Sequence, residues 1–171
     1  MGRFLGGYST PKEFEVDWSG DYLTFSTVEE GVVILKMEAK LIGIPITHMT
    51  VTTGWGSRGS WTVELLDGPS VPYSGGSGNV PAAPWTRNTI NKYDYIRGIV
   101  GPVGESTRTR FSVAANNDAH IALGTNELHS SPKYEIVLGG WRNEQSVIRY
   151  SNGGPKQDSH SGPVMAGYNN P

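Results

Sequence analysis

Residues 118–150 read DAHIALGTNELHSSPKYEIVLGGWRNEQSVIRY, and this stretch contains two apolar runs, IAL and YEIVL, that are typical of β-strands. The polar segment GGWRNEQS follows the second run and precedes SVIRY, where strand-like alternation resumes. Short strands bounded by glycine and polar residues are typical of antiparallel sheets with one face exposed to solvent. The turn before SVIRY carries a Trp, an Arg, an Asn and a Glu, which either brace the fold or face a ligand.

Strand signals also dominate the rest of the chain. The 171 residues include 23 Gly and 11 Pro without a regular period, and this composition suits many short strands joined by tight turns. We expect one all-β domain over residues 1–171, an antiparallel β-sandwich of jelly-roll-like type. Alternating or β-branched runs predict further strands at residues 21–28, 32–44, 46–55, 60–66 and 109–115.

Two segments interrupt the strand pattern. DGPSVPYSGGSGNVPAAPWTRNT, residues 67–89, is rich in Pro and Gly and is therefore predicted to be a connector and not a central strand or a helix. It separates residues 1–66 from residues 90–150. The tail, residues 151–171, contains Asn-Gly and Gly-Pro turn signals and little to bury, so we expect it to be loosely ordered or partly extended.

Charge and composition exclude several classes of function. The formal net charge is −2 with no run of like charges, so neither nucleic acid nor an anionic membrane is expected as a partner. No apolar run is long enough to span a membrane, and the start MGRFLGGYST lacks a signal-peptide core, which leaves the compartment open. The absence of cysteine excludes disulfides and thiolate metal sites. The four histidines are widely separated, so we expect no metal and no cofactor.

Part of the chain resembles a known family. FSVAANNDAHIALG and the following YEIVLGGWRNEQSVIR, within residues 111–149, are similar to the signature of the farnesoic acid O-methyltransferase domain family. That signature runs Phe-x-Val-x-Ala, Asp-Ala-His-Ile-Ala-Leu, Tyr-Glu-Ile-Val-x-Gly-Gly-Trp and Ser-Val-Ile-Arg. NKYDYIRG, residues 91–98, resembles the entry strand of the family.

The first half of the chain resembles the family in an unusual order. EFEVDWSGDYLTF at residues 13–25 and VTTGWGSRGSW at residues 51–61 are similar to segments that follow the Ser-Val-Ile-Arg strand in the family. Here they precede it. The resemblance therefore implies a circularly permuted domain, with residues 67–89 as the new connection. The alternative is a swapped dimer, in which two chains exchange halves.

The family name implies a methyltransferase, which would have to hold S-adenosylmethionine. Such sites usually place a Gly-rich turn between a parallel strand and a helix. The nearest Gly-rich candidate, GGSGN at residues 75–79, follows a Pro-Tyr-Ser step and precedes two further prolines. It is predicted to be a flexible connector, and we expect no enzymatic activity.

The turn GGWRNEQS is the leading candidate for a binding site. Gly139 and Gly140 permit positive φ angles, so the indole of Trp141 is predicted to project from a turn beside Arg142, Asn143 and Glu144. An aromatic plane flanked by such polar groups is typical of sugar binding, because the ring stacks on C–H groups while polar atoms contact hydroxyls. TGWGSRGSW repeats the arrangement with Trp55 and Arg58. In the alternative interpretation, Trp55 and Trp141 fill the ends of the core.

Two further polar residues are candidates for a supporting role. Asp118 and His120 lie two apart, which in a strand places both on one face, either beside a ligand or satisfying each other and Arg149. Alternation in YEIVL and SVIRY also places Glu135 and Arg149 on a shared face. This pair is predicted to be a cross-strand contact with a structural role.

These patterns predict a non-enzymatic carbohydrate-binding protein, a lectin, whose partners are glycans, with a galactose-type sugar as the suggested ligand. A homo-oligomer, dimer or larger, would raise avidity. A structural or protein-interaction module is the alternative, and a methyltransferase acting on a farnesoic-acid-like carboxylate is the third hypothesis. Binding of glycans, of a protein partner or of S-adenosylmethionine distinguishes the three.

Overall fold

The computed structural model describes residues 11–67, 72–73, 78–79, 85–92, 95, 99–126, 133–151 and 153–165. The described residues are nearly all β. The strands are β1 Lys12–Asp17, β2 Tyr22–Thr27, β3 Val33–Glu38, β4 His48–Leu65, β5 Pro72–Tyr73, β6 Gly78–Asn79, β7 Trp85–Lys92, β8 Ile99–Pro102, β9 Arg108–Ala115, β10 Ala119–Gly124, β11 Lys133–Gly139, β12 Gln145–Tyr150 and β13 Lys156–Ser161. Two helical turns accompany them, α1 Ala39–Ile42 and α2 Gly140–Asn143.

Nine of the strands form two antiparallel sheets of five that share β4 and pack as a β-sandwich, and β5 and β6 form a separate two-stranded sheet. The hydrogen-bonded order is β13-β12-β11-β10-β4-β9-β1-β2-β3, and β7 and β8 also pair with β4. β4 belongs to both sheets, because its first part pairs with β10 and its second part pairs with β9. β3 and β13 are the two end strands of this order, and the backbone N–H of Lys36 in β3 donates to the Asp158 carboxylate in β13 at 2.8 Å. The non-consecutive neighbours of β4 give the sandwich its jelly-roll-like crossings.

Residues 54–58 of β4 form the bend between the two sheets. Thr53 is the last residue that pairs with β10, and Gly59 is the first that pairs with β9. The Thr53 hydroxyl donates to the Ser57 carbonyl at 3.0 Å across this bend. The link between β9 and β10 crosses beside it, and the Gly54 N–H donates to the Asp118 carbonyl at 2.9 Å. Both crossings therefore lie at the same end of the sandwich.

The core lies between the two sheets and follows the predicted alternation. In β2, Leu23 and Phe25 are fully buried, whereas Tyr22 is exposed. An aromatic cluster occupies one part of the core. The Phe111 ring centroid lies 5.8 Å from that of Phe14, 5.7 Å from that of Phe25 and 5.9 Å from that of Trp61. Such tilted aromatic contacts add to the free energy gained from burying the rings.

The structure changes two predicted boundaries and defines a strand within the predicted tail. The run at residues 32–44 was predicted to be one strand, but only 33–38 is extended and Ala39–Ile42 forms α1. That helical turn ends at Gly43, whose φ of 66° favours glycine. The predicted connector also ends early, because β7 begins at Trp85 and pairs with the second part of β4. The tail was expected to be loosely ordered or partly extended, and its residues Lys156–Ser161 form the strand β13, which pairs with β12 and extends the sheet.

Both halves of the chain contribute to the same sandwich. β1 and β4 from the first half pair with β9 from the second half. The permuted order and its swapped alternative stay predictions. Among the described residues, no helix is long and apolar enough to cross a membrane.

Phe111→Ala tests the aromatic cluster. The substitution removes a ring that contacts three others in a fully packed core, so we expect the free energy of unfolding to fall by about 3–5 kcal/mol. Urea denaturation followed by circular dichroism measures it. Val32→Ala is the control, because Val32 is 50% exposed and its truncation should change stability by less than about 0.5 kcal/mol. Equal effects of the two substitutions would contradict this assignment of the core.

Candidate functional site: a left-handed turn at one end of the sandwich

The turn that joins β11 to β12 has an unusual backbone. Gly139 has a φ of 59°, and Trp141, Arg142 and Asn143 follow with φ of 52°, 63° and 65°. The Glu144 N–H then donates to the Gly140 carbonyl at 3.1 Å and closes the turn. Left-handed backbone costs roughly 1–2 kcal/mol for a residue with a side chain, although Asn tolerates it better. We call residues 139–144 the left-handed turn.

The surrounding structure holds this strained turn in place. The Asn143 side chain is buried, donates to the Met165 carbonyl at 2.5 Å and accepts from the Met165 N–H at 3.0 Å. A methyl group on Gly139 would lie 2.7 Å from the Asn143 amide oxygen and 2.8 Å from a Met165 carbon. The Ser146 hydroxyl accepts from the Gly139 N–H at 3.0 Å. The side chain of Asn143 therefore holds the turn against the backbone of Met165.

Trp141 lies at the surface of the turn. It is 46% exposed, so the interpretation of this residue as a plug of the core is wrong. The ammonium of Lys156 in β13 lies 4.3 Å from the centroid of the indole, and it also donates to the Gln145 side-chain oxygen at 2.6 Å. An exposed cation–π contact contributes about 0.5–1 kcal/mol. Arg142 and Glu144 are exposed on the same turn.

Asp118 connects the left-handed turn with the bend in β4. Its N–H donates to the Gly139 carbonyl at 3.1 Å, and its own carbonyl accepts from the Gly54 N–H at 2.9 Å. The carboxylate is buried, accepts from the Asn117 amide at 2.7 Å and approaches Gly140. Burial raises the pKa of Asp118, and the electrostatic interaction with His120 partly offsets this. Asp118 precedes β10 with a φ of 46°, so the prediction that it shares a strand face with His120 is wrong.

The second predicted segment lies on the neighbouring bend. Trp55 and Arg58 fall within residues 54–58, which adjoin Asp118 through the Gly54 hydrogen bond. Arg58 is exposed there. The side chain of Trp55 lies outside the described part of the structure. The fold thus brings the backbones of both predicted segments to one end of the sandwich.

His120 belongs to a buried polar network instead. It is 1% exposed, and its Nδ1 lies 3.6 Å from Glu135, a fully buried carboxylate in β11. Glu135 also accepts from the Tyr95 hydroxyl and from Arg149. Glu135 and Arg149 are direct cross-strand partners, so the predicted structural pair is confirmed. Lys133, also buried on β11, places its ammonium 5.5 Å from the centroid of the Tyr95 ring.

The network keeps a buried carboxylate charged. Burial by itself would raise the pKa of Glu135, but the contacts with His120, Arg149 and Tyr95 together lower that pKa to about 2. Burial also lowers the pKa of Lys133, which Glu135 partly restores. A buried charge is tolerated only when it is paired and hydrogen-bonded in this way. The network lies on the outer face of the β10–β11 pair and braces the strands that lead into the left-handed turn.

Sequence reasoning missed Lys156, Gln145 and Met165. Lys156 and Met165 fall in the tail that was expected to be loosely ordered or partly extended, 15 and 24 positions after Trp141. The residues of β13, KQDSHS at 156–161, are all polar and carry no alternating pattern that would indicate a strand. Their proximity to the turn arises from the pairing of β13 with β12, which no local pattern specified.

A cavity of about 580 Å³ lies at the opposite end of the sandwich. It is lined by Trp18, Ile44 and Tyr134 together with the carboxylates Asp21 and Glu105. The Tyr134 hydroxyl accepts from the Ile44 N–H at 3.1 Å. None of the residues predicted to form the site lines this cavity. Within the described ranges, no group of three or more His, Asp or Glu residues could hold a metal ion.

Comparison with known proteins gives one match. Residues 87–167 match the model of a family described as farnesoic acid O-methyl transferase. The matched region is 81 of the 171 residues and includes β8 to β13 and the left-handed turn. The resemblance of residues 1–66 to the same family stays a prediction. Neither the curated proteins nor the solved structures contain a match to this chain.

Glu135→Gln tests the buried network. It leaves Arg149 without its charged partner, so we expect a loss of about 3–5 kcal/mol at pH 7. Because the folded pKa of Glu135 is about 2 against an ordinary value of 4.5, its contribution is complete above pH 4.5 and is lost as the pH falls toward 2. Urea unfolding at pH 7 and pH 3 should therefore show a smaller difference between variant and wild type at pH 3.

The exposed Glu29→Gln is the matched control and should follow the wild type at both pH values. A difference between Glu135→Gln and the wild type that stayed constant from pH 7 to pH 2.5 would contradict the assignment of a charged Glu135.

Arg142→Gly tests the strain in the left-handed turn. Glycine relieves the cost of a positive φ, and this gain exceeds the entropy lost by ordering glycine, so we expect stabilisation of roughly 0.5–1 kcal/mol. Arg142→Ala removes the same guanidinium but keeps a Cβ and should not be stabilised. The difference in thermal midpoint between these two variants measures the strain. Equal midpoints would mean that the turn is relaxed.

Proposed function

We propose that this protein, whose residues 87–167 match the model of the farnesoic acid O-methyl transferase family, is a non-enzymatic carbohydrate-binding protein. The observation that supports this most is the half-exposed indole of Trp141 on a strained turn that the rest of the structure clamps. A surface Trp that only filled space would need no left-handed backbone. Strained backbone that persists in a folded protein is concentrated at binding and catalytic sites.

The chemistry around the indole suits a saccharide. An aromatic face takes the C–H surface of a pyranose, and nearby donors and acceptors contact its hydroxyls. Arg142 offers donors and Glu144 offers acceptors from the same turn, both exposed. Lys156 and Gln145 add further polar groups at the edge of the ring. Asn143 and Asp118 would act by positioning the turn, and Arg58 would extend the surface along the neighbouring bend.

The family name denotes a methyltransferase, and that activity is the competing class. A site for S-adenosylmethionine of the usual kind needs a Gly-rich turn after a parallel strand. Every pairing between the described strands is antiparallel. In the Gly-rich candidate 75–79, only the strand residues Gly78 and Asn79 lie within the described ranges. The antiparallel arrangement favours binding over group transfer, and titration calorimetry with S-adenosylmethionine tests that choice.

A protein-interaction module is the second candidate, because an exposed Trp beside an Arg is also typical of residues that dominate protein interfaces. The two candidates share the same surface and differ in the partner. The suggested galactose-type ligand and the expected homo-oligomer stay predictions within the first candidate.

A glycan array with wild type and Trp141→Ala tests the proposal. We expect one class of glycan to bind the wild type, and a loss of affinity of about fivefold or more in the variant, since stacking on an aromatic face contributes about 1 kcal/mol or more. Circular dichroism should show that the variant is folded, because Trp141 is not part of the core. Trp18→Ala is the control, as it alters the cavity at the opposite end.

The two variants separate the possible outcomes. Binding lost in Trp18→Ala but retained in Trp141→Ala would place the site in the cavity and overturn the proposed location. Absence of any glycan binding by the folded wild type would overturn the carbohydrate-binding function itself, and binding of a protein partner would then favour the interaction module.

A further inference from the structure

Lys156 changes what the indole of Trp141 can bind. Its ammonium lies 4.3 Å from the ring centroid, so one face of the ring is already covered by a cation. The hydrogen bond to Gln145 at 2.6 Å holds the ammonium there. A neutral sugar that stacked on this face would have to displace Lys156 and break both contacts. A ligand with an anionic group would instead meet the ammonium where it already lies.

The exposed charged side chains of the left-handed turn and its neighbouring strands also favour an anionic ligand. Arg142 is exposed on the left-handed turn, Lys156 is exposed on β13 and Arg58 is exposed on the neighbouring bend of β4. Glu144 is the exposed carboxylate on the turn itself. The Asp118 carboxylate lies behind the turn and is buried.

The acid nearest to Lys156 on its own strand is occupied. The Asp158 carboxylate accepts from the backbone N–H of Lys36 in β3 and from that of Ser159. Both Asp158 carboxylate oxygens are therefore engaged by backbone groups, and the Lys156 ammonium donates to the neutral side chain of Gln145. Lys156 over the ring and Arg142 beside Trp141 in the turn are thus two exposed cations next to the indole, against one exposed carboxylate on the turn, Glu144.

We propose that the ligand of this site is an acidic saccharide, in which a carboxylate or sulfate pairs with Lys156 and Arg142 while the sugar ring contacts the indole of Trp141. The proposal rests on the carbohydrate-binding function proposed above. Lys156 is the residue that sets specificity, because it selects for the charge of the ligand and Trp141 selects for its apolar surface. Charge-assisted hydrogen bonds from a lysine or an arginine to a carboxylate or a sulfate are stronger than those to a hydroxyl.

Matched neutral and acidic sugars test this directly. Galactose and galacturonic acid differ only in a hydroxymethyl group and a carboxylate, and glucose and glucuronic acid form a second pair. With oligosaccharides of each immobilised, we expect the acidic member to bind about fivefold more tightly at low salt, the upper end of the range for one exposed ion pair. That preference should diminish at 0.5 M salt, since exposed charges are screened. Sulfated galactose serves as a second acidic probe and distinguishes a need for a carboxylate from a need for negative charge alone.

Lys156→Gln and Lys36→Gln form a variant and its control. Lys36 also places its ammonium over an aromatic ring, 3.8 Å from the centroid of Tyr22, but on the other sheet. Lys156→Gln should abolish the preference for acidic sugars, Lys36→Gln should retain it, and Lys156→Arg should restore most of it. A structural role for Lys156 alone would weaken acidic and neutral sugars equally.

The outcomes also separate this inference from the proposed function. Equal binding of neutral and acidic sugars, lost in Trp141→Ala and unchanged in Lys156→Gln, would leave the carbohydrate-binding function intact and overturn the acidic ligand. Failure of the wild type to bind any saccharide would overturn both.

Discussion

One strand serves two sheets, and this constraint determines where the candidate site lies. β4 pairs with β10 through its first part and with β9 through its second part, so its backbone must turn from one sheet into the other at residues 54–58. The link between β9 and β10 must cross at the same level. The two crossings are joined where Gly54 donates to the Asp118 carbonyl, and Asp118 in turn donates to Gly139. The left-handed turn is thereby fixed to the corner of the sandwich.

Two kinds of stabilisation hold that corner. The outer face of the β10–β11 pair carries a buried network in which Glu135 is surrounded by His120, Arg149 and Tyr95. Beyond the end of β11, the side-chain amide of Asn143 donates to the Met165 carbonyl and accepts from the Met165 N–H. A turn with three consecutive left-handed residues, two of them unsuited to that backbone, needs such support. Within the turn, the strain falls on Trp141, which carries the indole, and on Arg142 beside it.

The sequence predicted the strands β2, β9, β10, β11 and β12 and the location of the turn, but it did not predict the contacts of the turn. Alternation in β2 correctly separated the buried residues Leu23 and Phe25 from their neighbours, and the pairing of Glu135 with Arg149 follows from the same period of two. Gly139 and Gly140 indicated a backbone that glycine favours. The left-handed angles of Trp141 and Arg142 could not be predicted, because they violate the intrinsic preference of those residues and depend on tertiary contacts. β13 was missed for a related reason, since an exposed polar edge strand buries too little to leave an apolar pattern.

The measurement that tests the central claim most directly is an NMR titration of the indole N–H signals with the glycan that binds best. The chain has five Trp residues, so each signal can be assigned by single substitution. If the left-handed turn is the binding site, the Trp141 signal should shift in proportion to occupancy while that of the fully buried Trp61 stays in place. A shift confined to Trp18, or saturable binding that leaves Trp141 unmoved, would contradict the account.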